Sequence, residues 1–297
     1  MKQKALSDAL DGMGLARRLA GADPAVRAAV LSETLPGANG FITAVPCKAL
    51  GLVFEAAEFN TELQRRLAAR QLSCEGFCPL CDAVMDTRGF HASVCTCGGD
   101  KTAGHNAARN LVYHYAAGAG CQPDMETGGL LPRRPDEPDT PNARRPADVY
   151  IPAWKGGAPA ALDLAITSPQ RQAALLLASG EAGAAAGLYE THKKVFLDTE
   201  DQCEQQGISF LPMVAESSGG WGPSGVIVLK TLAKKAAARD GSPASVHMSH
   251  YLEGLSVAIR RAAARAVLRR TAVVALSPPA AAATAAAVLS AHGGEWQ

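Results

Sequence analysis

Five of the chain's eight cysteines (Cys74, Cys78, Cys81, Cys95 and Cys97) fall within 24 residues. A small secreted scaffold spreads an even set of cysteines along a short chain and ties them as disulfides. This 297-residue chain instead concentrates them and leaves most of its length cysteine-free. Cys78-Pro-Leu-Cys81 puts two thiols on one tight turn; His91 follows after nine intervening residues and Cys95 after three more. Tetrahedral zinc takes four soft or borderline ligands from two such pairs. The expected zinc ligands are four of Cys78, Cys81, His91, Cys95 and Cys97, with Cys97 competing for the fourth place and Cys74 and His105 lying further out. Unligated buried cysteines and a redox CxxC are the alternatives, the second without a thioredoxin-like context around it. In segment 73–103, which has little apolar periodicity, zinc would take the place of a missing core.

The rest of the chain has enough apolar material for a real core: 47% of it is hydrophobic, against 19% charged. The formal net charge of +1 excludes a polycation that coats nucleic acid, so any such role must come from a local patch or site. The N-terminus lacks the apolar run of a signal peptide, and the longest small-apolar run near the C-terminus is broken by Pro278-Pro279. A soluble, intracellular chain with no membrane span is expected.

Periodicity predicts short helices over 3–35 and an amphipathic helix over 54–72 with Phe59, Leu63 and Leu67 on its apolar stripe. A further helix is expected over 105–118. The Pro-, Asp- and Arg-rich stretch 131–146 reads as a loop. Strand-like runs follow at 147–152 and 160–167 around Gly156-Gly157, with a weaker one at 121–127. An Ala-rich helical region (170–200), a buried strand (208–215) and helices over 224–238 and 247–270 complete the pattern, before an Ala/Pro-rich tail. The order after residue 104 is helix, three strands, helix, strand: a mixed α/β core with accessory helices.

Two carboxylates stand inside these apolar strands, Asp148 in Ala147-Asp148-Val149-Tyr150-Ile151 and Asp163 in Leu162-Asp163-Leu164. A lone buried charge is costly, so such residues are paired with a cation or bind one. One reading is an oxygen-lined Mg²⁺ site on neighbouring strands, able to hold a scissile phosphate and activate water. The other is a strand cap or an ion pair with Arg144 or Arg145. Lys193 and Lys194, on the helix after the second strand, are the lysines placed to reach back towards the acids. The C-terminal helix carries Arg260, Arg261, Arg265, Arg269 and Arg270, a stripe suited either to a phosphate backbone or to plain solvation. Arg133, Arg134, Arg144 and Arg145 flank the acids on the loop.

Taken in order, these blocks resemble a known family. CPLC, GFHASVCTCGGDKT and HNAARN are similar to the zinc knuckle and following helix of the restriction-like endonuclease region found downstream of the reverse transcriptase in some non-LTR retrotransposons. That region belongs to the PD-(D/E)XK nuclease superfamily. METGGLLP, RRPADVYIP and ALDLAITSP resemble its strands, YETHK its lysine-bearing helix, and GISFLPMVAESSGGWG its last core strand. LPGANGFITAVP and FNTELQRRLAARQL are similar to the segment joining polymerase to nuclease. The resemblance covers roughly residues 30–235.

It implies an αβββαβ restriction-endonuclease-like core over 104–240, with a helical linker segment (1–72), a zinc knuckle (73–103), a basic accessory helix (241–275) and a low-complexity tail (276–297). It implies Asp148 and Asp163 as ligands of a catalytic Mg²⁺ or Mn²⁺, and Lys193 as catalytic lysine with Lys194 the one-residue alternative. It also implies DNA as partner, with RNA open, a nuclear location, and nucleic-acid contacts from His105, Asn106, Arg109, Arg144 and Arg145. The chain departs from the pattern in three places. One residue is inserted in Pro146-Ala147-Asp148, Ala165 stands where the simple motif has lysine, and Gly104 stands where arginine is expected before His105. With no polymerase motif, the chain reads as a C-terminal piece or remnant of such an element. A catalytically inactive, zinc-dependent nucleic-acid-binding remnant is the rival reading.

Overall fold

The computed structural model describes residues 2–132 and 145–276. In chain order its elements are α1 (Lys2–Leu19), α2 (Pro24–Ser32), α3 (Gly40–Thr43), α4 (Ala56–Arg66), β1 (Gly76–Phe77), β2 (Val84–Met85), α5 (Phe90–Val94) and α6 (Asp100–Gly118). Then come β3 (Asp124–Met125), β4 (Val149–Lys155), β5 (Ala158–Thr167), α7 (Gln172–Ala178), α8 (Ala184–Val195), a 3-10 turn (Phe196–Asp198) and α9 (Thr199–Gln205). β6 (Ser209–Glu216), α10 (Pro223–Asp240) and α11 (Ala244–Leu276) follow. Among the described residues no helix is long and apolar enough to cross a membrane.

The fold is mixed α/β. Its sheet runs β3-β4-β5-β6, antiparallel for the first two pairings and parallel for β5 against β6. β4 and β5 form a hairpin closed by Gly156 and Gly157, both at positive φ, as a two-residue turn of this twist requires. The parallel step to β6 needs a crossover, which α7, α8, the 3-10 turn and α9 supply.

Side chains alternate along β5, so each strand feeds two layers. Ala160, Leu162 and Leu164 join Val149, Ile151 and Met213 in the main core beneath α6, α10 and α11. Ala161 and Ala165 face the other way, against Phe210, Cys203 and Ala186 from the crossover side. A sheet covered on both faces explains why β6 reads as a nearly continuous buried run.

The two outer helices depart from expectation. In α4 the expected apolar stripe is only partly the inner face. Leu63 packs by Phe41 and Leu52, and Phe59 meets the Phe41 and Phe54 rings. Leu67, however, lies beyond the helix and is 65% exposed, whereas Glu58, Thr61 and Glu62 are buried. The reason lies on α11. Arg260 is 1% exposed and its guanidinium binds Glu62 (3.1 Å), Glu33 and the Ala38 carbonyl (3.0 Å). Arg265 reaches Glu58 at 2.6 Å.

Further along α11, the fully buried Arg270 binds Asp100 at 2.8 Å and the Cys97 carbonyl at 2.9 Å, while Arg269 binds Asp100 and the Gly98 carbonyl. The arginine stripe of the C-terminal helix is therefore neither a free phosphate-binding face nor a merely solvated one. Four of its five arginines are paired with acids of other elements, and the fifth, Arg261, binds the Val53 carbonyl. α11 is correspondingly not an accessory element: it packs on α3, α4, α5, α6 and α10. α6 begins at Asp100, four residues before the expected knuckle–core boundary, so one helix spans both.

Candidate metal centre and carboxylate site

β1 and β2 form a small hairpin that presents Cys78 and Cys81 on its turn. His91 and Cys95 come from α5 and the residue capping it. Asp86 fixes that helix: its carboxylate accepts the amides of Arg88, Phe90 and His91 at 2.9, 3.1 and 2.7 Å. The ligand atoms of Cys78, Cys81, His91 and Cys95 all lie within 4.8 Å of one another. Cys81 Sγ stands 3.2 Å from His91 Nε2 and 3.6 Å from Cys95 Sγ. Thiolates bound 2.3 Å from one tetrahedral zinc sit about 3.8 Å apart, so the donor set and its spacing fit that ion. The four residues form a Cys₃His cluster that can hold zinc.

Cys97, the competing fourth ligand, is not in the cluster; its carbonyl is taken by Arg270. Cys74 is exposed beside Ser73 and also lies outside. Protonation in the cluster has identifiable causes. Burial pushes Cys81 up to about 11. Burial also pushes against the Cys95 thiolate, but a hydrogen bond from Arg270 and the Cys97 backbone outweigh it and leave Cys95 below the usual thiol value. His91 is lowered by burial and by the Arg270 charge, which favours the neutral imidazole a metal needs. Arg270 thus ties the cluster to α11 and to Asp100 of α6.

The second site lies where the β4–β5 ladder opens. Val149 pairs with Leu162, so the next residues outward, Asp148 and Asp163, are cross-strand neighbours. Asp148 uses its side chain to continue the ladder: Oδ2 accepts the Leu164 amide at 2.7 Å. The same oxygen pairs with His105 Nε2 of α6 at 3.1 Å. Asp163 Oδ1 accepts Lys193 Nζ of α8 at 2.8 Å. Lys194 points elsewhere, to Glu200 at 2.6 Å. Of the two lysines, Lys193 alone shares the pocket of the acids.

The two carboxylates are 20% and 17% exposed, mostly buried yet within reach of a small cation. Burial raises Asp163 to about 6 against the opposing Lys193 charge, and the Asp148 charge adds to the rise. Burial also pushes Asp148 up, but the hydrogen bond and charge of His105 and the Leu164 amide outweigh it and leave Asp148 below the ordinary value. His105 is raised by its bond to Asp148. The result is one strongly ionised carboxylate beside one that holds its proton into the mildly acidic range.

The remaining expected contacts are placed as follows. Asn106 Oδ1 meets His105 Nδ1 at 3.3 Å and orients the ring. Arg109 and Arg145 both bind Glu126, just after β3, rather than standing free. Arg133, Arg134 and Arg144 lie outside the described residues, as does the tail 277–297. Gly104 lies in close contact with α11: a Cβ there would sit 3.1 Å from the Ala262 Cβ, so any larger residue requires α11 to give way.

Sequence reasoning missed two buried acids near the crossover. Glu190 accepts the Ser224 amide at 3.2 Å and Glu216 accepts the Ala186 amide at 3.2 Å; both are raised by burial. Glu190 joins α8 to α10 and Glu216 joins β6 to α8; both lie within the YETHK and GISFLPMVAESSGGWG blocks, which carry no spacing that marks them as buried acids. Comparison with protein-family models, curated proteins and solved structures finds no match.

Proposed function

We propose that the chain is a metal-dependent DNA endonuclease with a restriction-endonuclease-like core and a structural zinc knuckle, related to the nuclease region of non-LTR retrotransposon proteins. The observation that carries this reading is the meeting of Asp148, Asp163 and Lys193: the acids are cross-strand neighbours, both mostly buried, and Lys193 reaches Asp163 at 2.8 Å from α8. The element order supports it: α6, then β3, β4 and β5, the helical crossover, then β6 correspond to αβββαβ.

Asp148 and Asp163 supply hard oxygen donors suited to Mg²⁺ or Mn²⁺. A divalent cation there would neutralise the scissile phosphate and lower the pKa of an attacking water. Lys193 holds Asp163 in place at rest and is within reach of charge developing on the phosphate. His105 and the Leu164 amide keep Asp148 ionised and fixed, and Asn106 fixes His105. Lys193 projects from α8 rather than from the strand, which accounts for Ala165 at the simple motif's lysine position.

One observation favours the rival reading of a nucleic-acid-binding remnant without catalysis. Each acid already has a basic partner, His105 on Asp148 and Lys193 on Asp163. Nicking of supercoiled plasmid in Mg²⁺ or Mn²⁺ separates the two. The endonuclease converts plasmid to open circles and Asp163→Ala abolishes the conversion. Equal conversion by both proteins, or none by either, contradicts the proposal.

A further inference from the structure

α8 carries more than Lys193. Tyr189, His192 and Phe196 follow one another at helical spacing from the helix into the 3-10 turn, with ring centroids 5.8 and 5.4 Å apart. The rings are tilted by 46° and 44°, so no ring in the row is stacked flat on the next. Tyr189 is anchored on one side against Ala165, Ala186 and Val214. Its other side borders a cavity of about 350 Å³ that His192, Leu188, Arg171 and Thr167 also line. Two cations flank the Tyr189 ring: the Arg171 guanidinium at 5.3 Å and Lys193 Nζ at 5.9 Å. Beyond it Phe196 is 54% exposed and Val195 66%.

Exposed aromatic rings beside cations, here His192 and Phe196 with Tyr189 anchoring the row, make the kind of surface that binds single-stranded nucleic acid, whose bases stack while the backbone follows positive charge. Its position matters as much as its composition. The row starts at the residue one helical turn before Lys193, whose ammonium binds Asp163. Duplex DNA keeps its bases stacked inside and offers nothing to such a row. A protein partner would also cover apolar side chains, but it gives no reason for the cations or for continuity with the carboxylates.

We propose that the Tyr189–His192–Phe196 row is a stacking platform for unpaired nucleobases. The substrate class is then nucleic acid carrying a single-stranded segment next to the scissile phosphate. This rests on the endonuclease reading above and deepens it.

The test uses the full zinc-loaded chain without added Mg²⁺, a fluorescent 12-nucleotide oligothymidylate and a duplex of equal length. The parent binds the single strand, and His192→Ala and Phe196→Ala each weaken that binding on the order of tenfold. Duplex affinity and thermal melting stay unchanged, and Phe196→Trp restores the affinity. Single-strand affinity that is unchanged in both alanine variants, or equal losses for duplex and single strand, overturns the platform. So does a change of Phe196→Ala in sedimentation alone, which marks the patch as a protein interface. Plasmid nicking, scored separately on the same proteins, keeps the two proposals apart. Nicking with no dependence of oligonucleotide binding on the row removes the platform alone. Row-dependent binding with no cleavage of plasmid or of a splayed duplex carrying a single-stranded arm removes the endonuclease alone.

Discussion

Two aspartates of identical chemistry are driven apart by their surroundings. Asp148 receives a backbone amide and an imidazole, and Asp163 receives one ammonium in a drier place. The sign of the consequence is fixed by direction. Asp163, raised to about 6 from an ordinary 3.8, is neutral below that pH and a poor cation ligand there. Mg²⁺ affinity, measured by calorimetry, is expected to rise as pH is brought up through about 6 and to flatten above it; a pH-independent affinity between 5 and 7 counts against this ligand. In the metal-free chain the same shift removes stability as pH climbs from about 4 to 6, because the folded state holds the Asp163 proton longer than the unfolded state does. His105, also raised, contributes stability that is full below 6.5 and is lost as pH rises through its higher folded value.

At the scale of elements, α11 shows what a sequence can and cannot disclose. The Cys₃His cluster, the Gly156-Gly157 hairpin and the acids just before β4 and within β5 are local patterns: their spacing or their conflict with an apolar run is visible in a few residues. Arg260 belongs with Glu33, 227 residues away, and Arg270 with Asp100, 170 residues away. Neither pairing leaves a periodic trace, so helical spacing alone presents these arginines as surface. The same blindness puts Leu67 on the inner face of α4 and hides Glu58 and Glu62, the acids that α4 buries to meet α11.

Removing one partner of a buried pair strands the other charge, so Arg260→Ala is expected to destabilise the chain by about 3–5 kcal/mol in denaturant unfolding. Arg261→Ala, which removes a single bond to the Val53 carbonyl, is expected to cost about 1 kcal/mol. Similar losses for the two would show that the Glu33–Arg260–Glu62 cluster is not closed as described.

Across the whole molecule, the Cys₃His cluster, α6 and the sheet are joined by a chain of side-chain contacts. Arg270 joins the cluster to Asp100 at the first turn of α6, and His105, four residues past Lys101 on the same helix, holds Asp148. Loss of zinc should therefore be felt beyond the knuckle. Parent protein is expected to contain about one zinc per chain. Cys78→Ser is expected to contain none and to lose hydrogen-exchange protection over both 76–97 and the start of α6. Protection lost in 76–97 alone would mean that the knuckle is an independent appendage.

The central claim concerns catalysis, and the adjacent lysines test it within one helix turn. Lys193 binds Asp163 and Lys194 binds Glu200, so the two alanine variants remove the same charge from neighbouring positions but only one from the pocket. In plasmid nicking with Mg²⁺, Lys193→Ala is expected to slow the reaction about a hundredfold or more while Lys194→Ala stays near the parent rate. Equal rates for the two variants, or a larger loss for Lys194→Ala, would contradict a nuclease centre built on Asp148, Asp163 and Lys193.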